Sequence, residues 1–513
     1  LSEAEFGKVH DDGIYAVTAK SLAETGEYRI ISLPDEPVQQ KYPVVFPAIL
    51  SVIWRVWPDF PANIVPMKCV SLLAGAVFLA LSYRVLREVS GISPRAAVVM
   101  VTICALAPAT AELANSVMSE LVFGVFSLLA LLLVERALRP SASPWWGVAS
   151  GLLAATAWWT RSVGIALVVA LLVGLVWRRK GRVALQVALG IVLVVIPIKL
   201  WEAPASQVDR AYEYYVGYGD WFRHAIADVG PRFLVWVPIK NLGSTFAGLS
   251  GTLVPSQIDA LPEGPFIEWP LLGVLLAGIV GVLLAIVGLA GRVWSKTPDI
   301  WALYLVCYLL VILYWPFPSP PRFFVPVLPL VLAASRLGMV RTGWFQSPAI
   351  GLPLAGLGAV LVLVLAGFSA VDQIVTARAP VRTERYRWIR ENSQPEDVVA
   401  SLDDPKCFLY TGRKAVLFAI PDVAPIYGSA GGFVVEPDSI LQMLAVSRTK
   451  LVMLQVSRSP NILVQLARDS LATVRTRHPN LLAEQWRDDR EGTVIYRVNE
   501  RELQAVWPRQ PGP

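Results

Sequence analysis

Long apolar stretches constrain this chain more than any other feature. "VSLLAGAVFLALSY", "LVFGVFSLLALLLV", "IALVVALLVGLVW" and "GVLLAGIVGVLLAIVGLA" approach, with their flanks, the roughly 20 residues that cross a bilayer as helix. None alternates lipid-facing and lumen-facing residues as the strands of a closed barrel would. With 55% apolar residues, 16% charged and a mean hydropathy of +0.54, the 513-residue chain is too oily for a soluble enzyme of ordinary composition. The expected fold is a polytopic α-helical membrane protein.

The runs predict ten spans, at about 64–87, 94–110, 118–137, 145–160, 162–178, 182–200, 268–290, 299–315, 322–336 and 348–371. Cationic loops are retained in the cytoplasm. One set of short loops carries thirteen Arg and Lys, from Arg84 to Arg341, and the opposite set only Arg161 and Arg322, which fixes the orientation. Three larger segments then fall outside: residues 1–63, an outer loop at 201–267 and the tail from 372 to 513. Placing residues 1–63 outside requires a span ahead of Leu1, so the sequence is read as starting just after a first helix, an eleventh.

Within the first segment "YPVVFPAILSVIWRVWP", broken by Pro43 and Pro47, reads as an interfacial helix, and "YEYYVGYGDWFRHAI" and "PRFLVWVPIKNL" in the outer loop are similar. Both segments are expected to line a cavity at the outer surface. In the tail, helical "RTERYRWIRENS" precedes strand-like "DVVASLD", "KAVLFAI", "KLVMLQV" and "GTVIYRV", with helical "SPNILVQLARDSL" between the last two. That alternation predicts a small C-terminal α/β domain.

Composition also excludes some functions. The net charge of +6 comes from loop arginines rather than one basic stripe, so no nucleic-acid partner is expected. Cys69, Cys104 and Cys307 lie in apolar runs and Cys407 is alone in the tail, which gives no disulfide framework or CxxC motif. His10, His224 and His478 are far apart and form no ligand motif, so no metal site is assigned.

Seven residues and one short motif stand out. Asp11 and Asp12 open "HDDGIYAVTAKSLAETGEY", where an acid can cap the helix or serve a site at the membrane surface. Tyr15, four residues after Asp11, shares its face. Arg161 in "WWTRSVG" and Arg322 in "PSPPRFFVP" stand against the charge rule; each either snorkels to lipid headgroups or faces a site. Glu120 in "NSVMSELVFG" either caps its helix with Ser119 or faces the same site, and Lys41 in "QKYP" is either surface or part of it. "YTGR", residues 410–413, is either a strand-ending turn at Gly412 or an acceptor contact.

The order of "DDGIYAVTAKSLAETGEY", "KYPVVFPAIL", "NSVMSELVFGVF", "WWTRSVGIAL", "PRFFVPVLPL" and "YRWIRENSQPEDVVASLD" with "FLYTGRKAV" resembles bacterial GT-C type glycosyltransferases, similar to protein O-mannosyltransferases and the lipid A aminoarabinose transferase. It covers nearly the whole chain. The resemblance implies inverting transfer of a sugar from a polyprenyl phosphate donor to an acceptor hydroxyl of a lipid, glycan or protein, on the outer face of the bacterial cytoplasmic membrane. It makes Asp11 or Asp12 the base, with Asp12 standing where Glu is frequent. It aims Arg161, Arg322 and Lys41 at the donor phosphate, which a guanidinium matches as a bidentate fork. Glu120 and Tyr15 are supporting residues. Some relatives with oligosaccharide donors use a divalent cation, and the mannosyltransferase-like branch needs no cofactor. The competing reading is a transporter or flippase of lipid-linked sugars, which would carry charges or broken helices deep in its spans.

Overall fold

The structure, a computed structural model, describes most of residues 1–202, then 229–253, 265–315, 319–343, 383–420, 434–455, 462–490 and 492–507, with scattered positions elsewhere. Most of the stretch "YEYYVGYGDWFRHAI" and most of the tenth expected span, 348–371, lie outside the described residues.

Nine of the ten expected spans are helical. They are α3 (Ile64–Glu88), α4 (Pro94–Leu106) with α5 (Pro108–Ala114), α6 (Glu120–Ala137), α7 (Trp145–Trp158), α8 (Ile165–Trp177), α9 (Gly181–Trp201), α11 (Pro265–Val293), α12 (Ile300–Leu313) and α13 (Leu328–Thr342). Among the described residues four helices are long and apolar enough to cross a membrane, counting α13 with the turn before it. The pair α4–α5, bent by 62°, would make a fifth. That bend corrects the expected single span at 94–110: Pro108 cannot donate the next helical hydrogen bond, and the chain turns at Ala107. The helices are apolar around much of their circumference; Leu185, Leu189, Leu193 and Leu200 of α9 point outward and exposed, as on a lipid-facing surface.

The first outer segment holds α1 (His10–Glu24) and the expected interfacial helix α2 (Val45–Val56). Pro47 does not break α2, because it falls in the first turn, where its missing N–H has no partner to lose. In the outer loop, "PRFLVWVPIKNL" belongs to a longer helix, α10 (Phe233–Gly251), which packs against α11 and is tied to the end of α12 by Asn241 Nδ2 donating to Leu313 O at 2.9 Å.

The tail is the expected α/β domain. Its sheet runs β2 (Ala415–Leu417), β1 (Val398–Ser401), β3 (Thr449–Gln455), β5 (Thr493–Val498), β4 (Leu482–Asp488). The β1–β2 and β1–β3 pairs are parallel, whereas β5 is antiparallel to both neighbours. Helices α14 (Glu384–Asn392), α15 (Asp404–Thr411), α16 (Pro437–Val446), α17 (Ile462–Arg477) and α18 (Glu500–Val506) surround it. Strand β4 is not legible in the sequence because "LAEQWRD" at the sheet edge is mostly polar and exposed. "YTGR" ends a helix rather than a strand: Gly412 takes the left-handed conformation (φ 72°) after α15 and leads into β2.

The tail and the first outer segment share one apolar core. Ile14 of α1, with Ile30 and Leu33, shares a core with Val398, Ala400 and Val416 of the sheet and with Phe418 just after β2. Ala415 N–H donates to Ser32 O at 2.8 Å, and Lys414 Nζ to Ile31 O at 2.7 Å. Helix α1 therefore lies between two bodies, with one face on the membrane helices and the other on the tail.

Candidate active site

Four distant parts of the chain meet beside α1, each delivered by a local break in regular structure. Arg161 follows the end of α7 in an extended conformation, before the 3-10 turn Ser162–Gly164. Gly164 permits that tight reversal, since a Cβ there would lie 2.6 Å from the Trp158 backbone. Arg322 sits in the 3-10 turn Pro321–Val327, where Pro326 and Pro329 delay the α-helix until Leu328. Glu120 is the first residue of α6, where the helix dipole favours a carboxylate. Asp11 lies in the first turn of α1.

The charges pair. Arg322 Nη2 donates to Asp11 Oδ2 at 2.6 Å, and Arg161 Nη1 lies 3.0 Å from Glu120 Oε1, with Arg322 Nε 3.8 Å from the same oxygen. Tyr42 donates its hydroxyl to Asp11 Oδ1 at 2.7 Å. Both guanidinium groups also lie over the ring of Phe323, at 5.2 and 5.4 Å. Glu120 is fully buried. Removing one member of such a pair typically costs 3–5 kcal/mol, because the other charge is left uncompensated.

Ser119 does not cap α6. Its hydroxyl accepts from Arg161 Nη1 at 2.9 Å and is 2.9 Å from the Tyr15 hydroxyl, so it links Arg161 to the face of α1 that carries Asp11. Tyr15 itself is held edge-on by Tyr42 and Phe46, with centroids 5.3 and 5.0 Å away. Tyr42 is the site residue that sequence reasoning did not single out, since an uncharged hydroxyl in an aromatic stretch has no distinguishing pattern; Ser119 enters that reasoning only as a helix cap.

Burial alone would raise the pKa of Asp11, but Arg322, the Tyr42 hydroxyl, His10 and Lys41 overcome it and hold the carboxyl well below the usual carboxylate range. Lys41 is buried rather than on the surface, at 5% exposure. Burial pulls its ammonium down to about 7, opposed by the charges of Asp11 and Asp404.

Asp12, one residue on, points the other way. Its Oδ2 accepts from Gly7 N–H at 2.9 Å, and burial, with Asp403 of the tail nearby, pushes it up to about 7. His10 pairs with Asp404 of the tail, Nε2 to Oδ1, at 2.7 Å. Tyr410 of "YTGR" is stacked on Tyr386, 4.8 Å between centroids, and meets Phe60 edge-on, so its ring is part of the joint between the tail and the first segment. Among the described residues no group of three or more His, Cys, Asp or Glu side chains could hold a metal ion.

Residues 41–201, which carry Lys41, Tyr42, Ser119, Glu120 and Arg161, match the family model for dolichyl-phosphate-mannose-protein mannosyltransferase. No curated protein matches the chain in sequence. Among solved structures, the oligosaccharyltransferase of Archaeoglobus fulgidus tethered with an acceptor peptide matches with a TM-score of 0.53 at 12% identity, over 87% of this chain and 65% of that one. The same organism's oligosaccharyltransferase AglB, in complex with an inhibitory peptide and a dolichol-phosphate, gives 0.51 at 11% identity, over 96% and 70%. ArnT from Cupriavidus metallidurans, bound to undecaprenyl phosphate, gives 0.49 at 15% identity, over 95% and 93%. This is the fold of GT-C type membrane glycosyltransferases. The chain spans about two thirds of the archaeal oligosaccharyltransferase.

On this GT-C scaffold the two arginines that stand alone in their loops are side by side, and two members of the cationic loop set, Arg178 and Arg292, meet at Asp299 instead, at 3.3 and 3.1 Å. Arg161 and Arg322, by contrast, surround Asp11 and Glu120.

Proposed function

We propose that this protein transfers a sugar from a polyprenyl phosphate to an acceptor hydroxyl on the outer face of the bacterial cytoplasmic membrane, with inversion and with Asp11 as the base. The observation that carries this reading is the meeting of Asp11, Glu120, Arg161 and Arg322 in one buried cluster, drawn from positions as far apart as 11 and 322. Their chemistry suits the reaction. The acceptor oxygen attacks the anomeric carbon, the bond from that carbon to the phosphate oxygen breaks, and the hydroxyl proton passes to Asp11. Polyprenyl phosphate departs with the electron pair, its negative charge met by Arg161 and Arg322.

The pairing of Arg322 with Asp11 suggests how the base is prepared. An arriving donor phosphate competes for Arg322, and weakening that pair lets the Asp11 pKa rise, as burial favours. Asp11 is preferred over Asp12 because Asp12 faces Gly7 and Asp403 and lies away from both arginines. The tail and the first outer segment lie on the side of the site, which supports an acceptor approaching from outside the membrane.

The test uses purified protein in vesicles supplied with a panel of polyprenyl phosphate sugars. Release of polyprenyl phosphate together with a new glycosidic bond is the expected result. Movement of the intact lipid-linked sugar across the vesicle, with no bond made or broken, would establish a flippase instead.

A further inference from the structure

Three consecutive residues at the start of α1 face two bodies. Asp11 reaches the membrane domain through Arg322, while His10 and Asp12 reach the tail at Asp404 and Asp403. Asp404 is fully buried, and its Oδ1 lies 2.7 Å from His10 Nε2. The joint is close elsewhere too. Lys406 Nζ donates to Phe6 O at 2.7 Å, and a Cβ on Gly13 would come within 2.8 Å of Pro405 Cβ.

We infer that Asp404 of the C-terminal domain is a positioning residue for Asp11, fixing the first turn of α1 through its pair with His10. The inference rests on the reading of Asp11 as base. A carboxylate with no exposed surface is stable there only with a cation or donors beside it, and His10 supplies one. Because His10 and Asp11 are adjacent on one helical turn, whatever fixes one limits the other. The tail thereby acts on a site whose arginines sit in turns between the membrane helices.

The charges around His10 are known. Asp404 and Asp403 face it from the tail, Asp11 lies on its own helix, and Lys41 comes from the segment before α2. Burial lowers the His10 pKa, but the charge and hydrogen bond of Asp404, with Asp11, outweigh burial and raise it. A pair of this kind holds α1 while His10 is protonated and loosens as pH rises through the raised value.

Two measurements decide. The chain has only three histidines, so selective labelling allows the His10 signal to be followed by NMR in lipid nanodiscs, assigned by its loss in His10→Gln. Its midpoint should lie above 6.5 in the wild type and fall in Asp404→Asn. Donor-saturated turnover should show an alkaline limb that moves down by the same amount in Asp404→Asn and is missing in His10→Gln, where it would persist if Lys41 were its source. A uniform loss of rate with an unchanged profile would show Asp404 to be merely structural, and a wild-type rate and profile in both variants would overturn the inference. If Asp404→Asn fails to fold, His10→Gln, at a position only partly buried, keeps the pH test available. An inactive Asp11→Asn beside an unaltered Asp404→Asn would sink the positioning role alone, whereas an inactive wild type would sink the catalytic reading with it.

Discussion

Asp11 and Asp12 are chemically identical neighbours that the fold makes opposite. Asp11, paired with Arg322 and bonded by Tyr42, stays ionised far into acid. Asp12 is burdened by burial and by Asp403, and sits at about 7. A carboxyl raised in the folded state contributes stability that is fully present below its unfolded pKa, near 3.8, and is lost as pH rises through about 7. Asp12→Asn keeps an oxygen for the Gly7 N–H and never ionises. Its thermal stability relative to wild type should therefore grow between about pH 4 and 7 and level off above, by up to roughly 4 kcal/mol, with transfer retained. Melting curves across that range check it; a variant less stable than wild type at pH 8 would contradict the account. The sequence showed that an acid pair opens a helix but not which acid faces inward, because successive helical residues are about 100° apart and only the packing partners decide. It did mark Arg161, Arg322 and Glu120, since isolated charges at the ends of apolar runs are conspicuous. It did not mark Asp403 and Asp404, which lie in a polar segment where acids are ordinary.

At the scale of elements, the decisive contact is between α1 and α15. Gly13 lies where the helices touch, and a side chain there meets Pro405, which cannot move aside freely. Gly13→Leu should force α1 away from α15 at a cost of about 1 to 3 kcal/mol, lower transfer, and open the joint to limited proteolysis. Cleavage as slow as in the wild type would contradict a tight joint. The periodicity of the apolar runs was enough to place nine expected spans as helices and the tail strands β1, β2, β3 and β5. It missed the bend at Ala107, which depends on one proline, and the edge strand β4, whose pairing with β5 rather than its own pattern makes it a strand.

For the whole molecule, the tail and the first outer segment are one unit across the site. Ile14, Ile30 and Leu33 lie in the core of the α/β domain, so deleting residues 380–513 would expose them and remove the partner of His10. The truncated chain should insert its apolar helices but lose transfer to every acceptor, water included; a truncated chain that still releases polyprenyl phosphate at the wild-type rate would show the membrane part to be self-sufficient. Composition announced a membrane protein and a separate polar tail. It could not announce that His10 pairs with Asp404 of the tail, because that contact joins residues nearly 400 positions apart.

The most direct measurement is the release of polyprenyl phosphate by the wild type, Asp11→Asn and Asp12→Asn in vesicles of the same composition. Loss of general-base help predicts a fall of at least about 10²-fold for Asp11→Asn, with wild type and Asp12→Asn both active. An Asp11→Asn protein as active as wild type, or an inactive Asp12→Asn beside it, would contradict the assignment.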